Sequence, residues 1–310
     1  MSIVNVKNYG LVVRDSPNLI MPTLADPISY TPGETWGNGA YAQVIAAASL
    51  TYPFILHDLI VNGNLGTYLI TQSTAAKLFL MQHEIGTGAA ASEVSKAAAI
   101  DAEGLYVGLS WDTAGVGVEA DIYCTTSKDI PIGPLYIPPS TRIAFRSSLS
   151  TTAAFKTGRV YLSGYNVNTL DFTKRFTVDE LLERGSRATY PSPLVFLGSV
   201  AVTGGAGWTA GNYAQIIAAL SDDYLLVSAH AIPTDATGIC SAQFDVSIGA
   251  AGSEVVQAKF ALPETTLKGA VHMRWPYPVI AYKGERIAVR AAPGNSGKAY
   301  TVNIYGVRLA

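Results

Sequence analysis

The sequence predicts an all-β protein made of two tandem β-sandwich domains, and three features carry that prediction: a duplicated strand, a longer duplicated block, and a composition that suits sheet. The strand Ser140-Thr141-Arg142-Ile143-Ala144-Phe145-Arg146 returns as Gly284-Glu285-Arg286-Ile287-Ala288-Val289-Arg290. In each copy an apolar pair alternates with Arg, Ala and Arg, the period of two that marks a strand with one face buried. A helix would set residues two apart on nearly opposite sides and split the pair.

The duplication extends further. Trp36 to Ala47 aligns without a gap on Trp208 to Ala219, with eight of the twelve pairs identical, and Tyr52 and Tyr224 continue that offset. Ile85-Gly86 answers Ile248-Gly249, Ser92-Glu93-Val94 answers Ser253-Glu254-Val255, and Val160-Tyr161-Leu162-Ser163-Gly164 answers Val302-Asn303-Ile304-Tyr305-Gly306. Four blocks in one order mean a tandem duplication.

The composition agrees. The 310 residues hold enough chain for two full cores. Glycine, tyrosine and β-branched residues are plentiful, and charged residues make up only 14%. A mean hydropathy of +0.24 with so little charge points to apolar surface covered by other subunits, or to an unusually apolar exterior. The net charge of −2 and the lack of a basic cluster beyond Lys174-Arg175 argue against binding to nucleic acid by phosphate neutralisation. No apolar run reaches bilayer length, so no membrane partner is expected, and the first residues do not read as a secretion signal. Cys124 and Cys240 occupy non-equivalent places in the two halves and do not make a repeated disulfide.

In chain order, residues 1–33 read as an extended N-terminal arm, because Pro17, Pro22, Pro27 and Pro32 interrupt Leu19-Ile20-Met21 and Leu24. Two readings stand for its apolar residues: packing along the first domain, or reaching a neighbouring subunit. Residues 34–167 form domain one. Aligned on Phe244, Val246 and Ile248, its inward set is Met81, His83 and Ile85, which turns Leu78 and Leu80 outward and predicts a covered outer face there. Residues 168–192 form a connector with one short helix, capped by Thr177-Val178-Asp179-Glu180 and stopped at Gly185. Residues 193–310 form domain two, with strands expected at 194–202, 213–219, 224–232, 241–248, 254–261, 271–280, 285–291 and 299–308. About eight short strands per repeat with long loops favour a jelly roll over a meander.

No catalytic pattern emerges. The four histidines, His57, His83, His230 and His272, are scattered, and no His-x-His pair, G-x-S-x-G elbow, H-E-x-x-H or P-loop occurs. His83, on the inward face, reads as a hydrogen-bonded core residue. No enzyme, cofactor or metal site is therefore expected. Glu93 and Glu254 are equivalent and stand beside the repeated arginines, which fits an ion pair or a loop cap better than a glycosidase pair. The equivalent Trp36 and Trp208 fit a plug at the end of the sandwich, an interface anchor, or a platform for a sugar ring. Arg142, Arg146, Arg286 and Arg290 lie on the outward side of their strands, suiting subunit contacts, acidic ligands, or solubility of a sheet edge. With Leu78 and Leu80, these residues are the interface candidates.

The blocks Tyr213-Ala214-Gln215-Ile216-Ile217, Ile248 to Glu254, Gly284 to Arg290 and Val302 to Gly306 resemble jelly-roll structural proteins of tailed bacteriophages, over residues 34–167 and 195–310. The resemblance implies a non-enzymatic virion component: capsid decoration, cement, head-spike or tail-fibre. It implies a homo-oligomer, by analogy a trimer, with the major capsid protein or other virion proteins as partners. Two alternatives accompany it: a carbohydrate-binding adsorption protein that holds host polysaccharide, and a double jelly-roll capsid subunit.

Overall fold

The structure, a computed structural model, describes residues 14–15, 17–33, 35–64, 81–101, 126–149, 157–170, 194–205, 207–234, 240–265, 270–295 and 298–309. The first half contributes β1 (Leu19–Met21), β2 (Ile28–Tyr30), β3 (Ala42–Ile45), β4 (Phe54–Asn64), β5 (Met81–Thr87), β6 (Val94–Asp101), β7 (Thr126–Ile137), β8 (Ile143–Leu149) and β9 (Thr157–Asn166). The second contributes β10 (Leu194–Thr203), β11 (Ala214–Ile217), β12 (Tyr224–Pro233), β13 (Cys240–Ile248), β14 (Val255–Thr265), β15 (Ala270–Ala281), β16 (Ile287–Pro293) and β17 (Ala299–Arg308). Among the described residues the helical pieces are two 3-10 turns, Ala47–Ser49 and Val167–Thr169. The expected connector helix, Leu78 and Leu80 lie outside the described residues.

The small sheets have matching orders, β3-β8-β5-β6 and β11-β16-β13-β14. In the second half the opposing sheet runs β10-β17-β12-β15. There the first strand lies beside the last and the second beside the seventh, which is jelly-roll topology. The first half repeats it as β1-β9-β4-β7, with β2 continuing along β9 after β1.

That match corrects the first boundary. The strand that opens the first jelly roll lies inside the segment read as an arm. Leu19 pairs with Gly164 and Ile28 with Val160, where the second half pairs Val195 with Gly306 and Val200 with Val302. Pro22 and Pro27 split the strand in two and conceal its alternation.

The cores follow from the period-two pattern. Phe54, Leu56, Leu59 and Val61 of β4 meet Ile143 and Phe145 of β8 and Val160 and Leu162 of β9 in the first sandwich. Phe244, Phe260, Trp275, Val289 and Tyr300 fill the second. Register sharpens the repeat alignment. Ile85 lies opposite Phe145 and Val246 opposite Val289, so Ile85 corresponds to Val246, two residues from the match expected by sequence. Parity is unchanged by that shift, and His83 and Ile85 do point inward. Phe54, opposite Asn166, likewise replaces Tyr52 as the counterpart of Tyr224, opposite Arg308.

The two large sheets are one. Thr126–Lys128 of β7 pair in parallel with Ala270–His272 of β15, completing a nine-stranded sheet that runs through both halves. Ile20, Ile60 and Tyr161, on the outer face of the first jelly roll, are buried in the core cluster of the second. Asn18 ties the junction together: its side-chain nitrogen donates to Ser163 Oγ (3.0 Å) and to the Lys259 carbonyl (2.8 Å), while its oxygen accepts from the Lys259 amide. Gln243 accepts from the Leu24 amide and donates to the Pro22 carbonyl. Arg14 grips Glu285 with two hydrogen bonds, at 2.7 and 2.5 Å. Over residues 14–33, then, the arm serves both halves of its own chain. Part of the apolar surface expected to need other subunits is covered by the other half.

Candidate functional site

The repeated arginines come together with repeated acids on the outer face of each small sheet. Arg142 Nη1 donates to Glu93 Oε1 at 2.7 Å and its Nε to Gln43 Oε1 at 2.9 Å. Arg286 does the same with Glu254 (2.7 Å) and Gln215 (3.1 Å). One strand turn further along, Arg146 pairs with Glu84 under the ring of Tyr41, and Arg290 with Asp245 under Tyr213, with guanidinium–ring distances of 4.3 and 4.6 Å. Lys259 joins Asp245 from β14.

The electrostatics of the carboxyls follow from these contacts. Burial pushes the Glu84 and Glu93 carboxyls up, but hydrogen bonds from Tyr41 and Arg146, and from Arg142, outweigh it and leave both below the usual range. Backbone amides, then Arg286, do the same for Glu254, whose Oε2 also accepts from the Gly252 amide. Burial, and then the bond to Glu84, lifts the Tyr41 hydroxyl to about 12. Glu93 and Glu254 therefore both cap their loops and pair with arginine, whereas Glu84 pairs from within β5. All four arginines cross-link neighbouring strands and loops within the chain, an arrangement that orders the sandwich edge.

The equivalent tryptophans differ. Both take left-handed backbone angles, φ of 60° at Trp36 and 65° at Trp208. Trp208 is half-buried against the second core, with its ring nearly perpendicular to that of Tyr161. Trp36 is 44% exposed.

His83 is a core residue, as its parity requires, but it is not hydrogen-bonded: neither ring nitrogen has a partner, and burial lowers its pKa to about 3. It packs against Tyr30 and Phe145 instead. His57 is also buried, lowered to about 4 by burial, and stacks edgewise on Tyr165 and Tyr277 across the junction. Cys240 is buried and forms no disulfide.

Sequence reasoning missed two groups. Val94 and Val255 occupy equivalent positions beside the paired glutamates, and they are 60% and 49% exposed. The signal was present in the repeated Ser-Glu-Val, whose valine opens a strand in both halves. Phe196 is exposed beside Tyr305 on the open face of the second half of the large sheet. On that same face His230 and His272, distant in sequence, become direct cross-strand partners.

No family model and no curated protein sequence matches this chain. Among solved structures, infectious bursal disease virus of the Gx and Gt strains matches 100% of this chain and 79% and 78% of theirs, at 12% identity with TM-scores of 0.22 and 0.23. Procruciferin, an 11S globulin from Brassica napus, matches 97% of this chain and 85% of its own at 8% identity and a TM-score of 0.15. Superpositions at this level define no common fold, and the jelly-roll assignment rests on the strand order above.

Proposed function

We propose that this chain is a non-enzymatic virion structural protein of the tailed-phage jelly-roll kind, which self-associates and docks on the capsid surface as a decoration, cement or head-spike component. The observation that carries the reading is the fusion of two like jelly rolls through one sheet. Their charged edge residues are engaged internally, while equivalent apolar residues, Val94 and Val255, remain outside. Exposed apolar side chains at repeated positions suit a building block that meets several neighbours with one kind of edge. The sequence resemblance supports the virion setting and, by analogy, a trimer.

The repeated topology also favours a second reading, a double jelly-roll capsid subunit, since two like domains in one chain can occupy two quasi-equivalent places. The glycan-binding alternative now falls to Trp36, the more exposed of the pair.

The test is mass analysis by ultracentrifugation at micromolar concentration. The expected result is a trimer, with Val94→Asp combined with Val255→Asp shifting it toward monomer while the circular dichroism spectrum is kept. A wild-type monomer at all concentrations defeats the self-association reading. Binding to a glycan array that disappears in Trp36→Ala, with assembly intact, supports the adsorption alternative instead.

A further inference from the structure

On the open side of the large sheet, His230 of β12 and His272 of β15 stand directly opposite each other. Their ring centroids are 6.1 Å apart and their planes meet at 74°. On the other flank of His230, Asn303 of β17 is its cross-strand partner, with the side-chain nitrogen 3.4 Å from His230 Nδ1. His57 and His83 are buried, which leaves these two as the accessible imidazoles of the chain.

We propose that His230 and His272 form a two-imidazole site for a borderline divalent transition metal, zinc or copper, with Asn303 orienting His230. Metal–nitrogen bonds of about 2.0–2.1 Å place each ring centroid about 3.2 Å from the ion, and so about 5 Å from each other at a tetrahedral angle. The observed 6.1 Å is wider than that, so binding requires the two rings to turn toward the ion. A ligating imidazole keeps its other nitrogen protonated and bonded to an acceptor. Turning the Asn303 amide presents its oxygen to Nδ1–H of His230 and leaves Nε2 to bind.

Burial lowers both histidines below the ordinary range; the neighbouring His272 adds to the effect on His230, and Arg274 adds to that on His272. Neutral imidazole is the form that binds metal. Arg274 lies two positions along β15 from His272, on the same face, and its charge opposes a cation. No third His, Cys, Asp or Glu joins the pair among the described residues, so water or a second molecule completes the coordination. The first half cannot offer the same site. Ile60 and Tyr161 hold the positions of His230 and Asn303, and that face is covered.

The experiment is calorimetric titration of the full chain with zinc chloride at neutral pH, paired with electron paramagnetic resonance of the copper(II) form. One saturable site per chain with nitrogen coupling is expected. His230→Gln and His272→Gln should each abolish it, Asn303→Leu should weaken it by about 10–100-fold, and Arg274→Gln should tighten it. All four substitutions lie on a sheet surface, and unchanged metal-free melting curves verify that the variants are folded. Absence of saturable binding by the wild type, or retention of the site in both histidine variants, overturns the proposal.

Discussion

The two jelly rolls solve one packing problem in opposite ways. In the first half Tyr30 of β2 faces Gly158 of β9; in the second, Val202 of β10 faces Tyr300 of β17. One large ring is needed at this point of the core, and either strand can supply it if the other makes room. A Cβ built on Gly158 would fall 2.1 Å from the Tyr30 ring, so the glycine is the space into which that ring fits. The neighbouring residue on β5 and β13 differs as well. His83 touches Tyr30, whereas its counterpart Phe244 packs on Tyr300 and stacks on Phe260 at 4.5 Å. What the duplication preserved here is filled volume, with the identity of the residue that fills it free to change.

The sharpest test of that equivalence is the swap itself. Tyr30→Val should destabilise the full chain to urea by about 3 kcal/mol, as expected for removing a buried ring. Gly158→Tyr alone should also destabilise, because two rings then claim one space. The double substitution recreates the pair found in the second half and should recover most of the loss. Strict additivity of the two penalties would break the comparison.

A smaller effect is expected from His83→Phe, which gives the first half the residue of the second. An unpartnered buried imidazole costs about 1–3 kcal/mol, so the variant should be more stable. The pH dependence carries the sign. His83 titrates at about 3 in the fold against 6.5 in the open chain, so protonation adds no penalty above pH 6.5 and an increasing one as pH falls from there toward 3. His57, lowered to about 4, acts in the same sense. The depressed carboxyls of Glu84, Glu93, Glu254 and Glu285 add a further loss below the ordinary value of 4.5. Urea midpoints followed from pH 7 to 4 should therefore fall less steeply for His83→Phe than for wild type. Parallel curves would count against a buried neutral histidine.

The smallest effect concerns turns. Ser140, Ala91 and Thr35 take positive φ values of 57°, 62° and 53° where the second half has Gly284, Gly252 and Gly207. A left-handed conformation costs a residue with a Cβ about 1–2 kcal/mol, part of which glycine returns through its freer unfolded chain. Ser140→Gly should accordingly raise stability by about 0.5 kcal/mol, seen as a slightly higher melting temperature. A lower one would show that the Ser140 side chain contributes more than its backbone strain removes.

Much of this architecture was legible because it is local and alternating. Every strand expected in the second half is present, since period-two patterns need no knowledge of partners. The opening strand of the first half escaped because prolines interrupt Leu19–Met21 and Ile28–Tyr30, although β9 still pairs with both pieces. The junction escaped for a different reason: Asn18 and Lys259, or Gln243 and Pro22, meet only through the fold, and no spacing announces them. The arginine–glutamate pairs were readable because the duplication printed them twice. The opposed histidines occur once, on strands distant in sequence, and only register brings them together.

The grip of Arg14 on Glu285 spans a sequence separation of 271 residues. On the ribosome, at roughly 5–20 residues per second, its two partners emerge about 14–54 s apart. During that interval the opening segment gains β9 only when the first jelly roll is nearly complete, Lys259 of β14 later, and Glu285 last. The face carrying Ile60 and Tyr161 is meanwhile uncovered, an apolar sheet surface waiting for β14. Newly made chains are thus most open to mispairing with one another late in synthesis, and closure of the N-terminal clasp marks the end of that window.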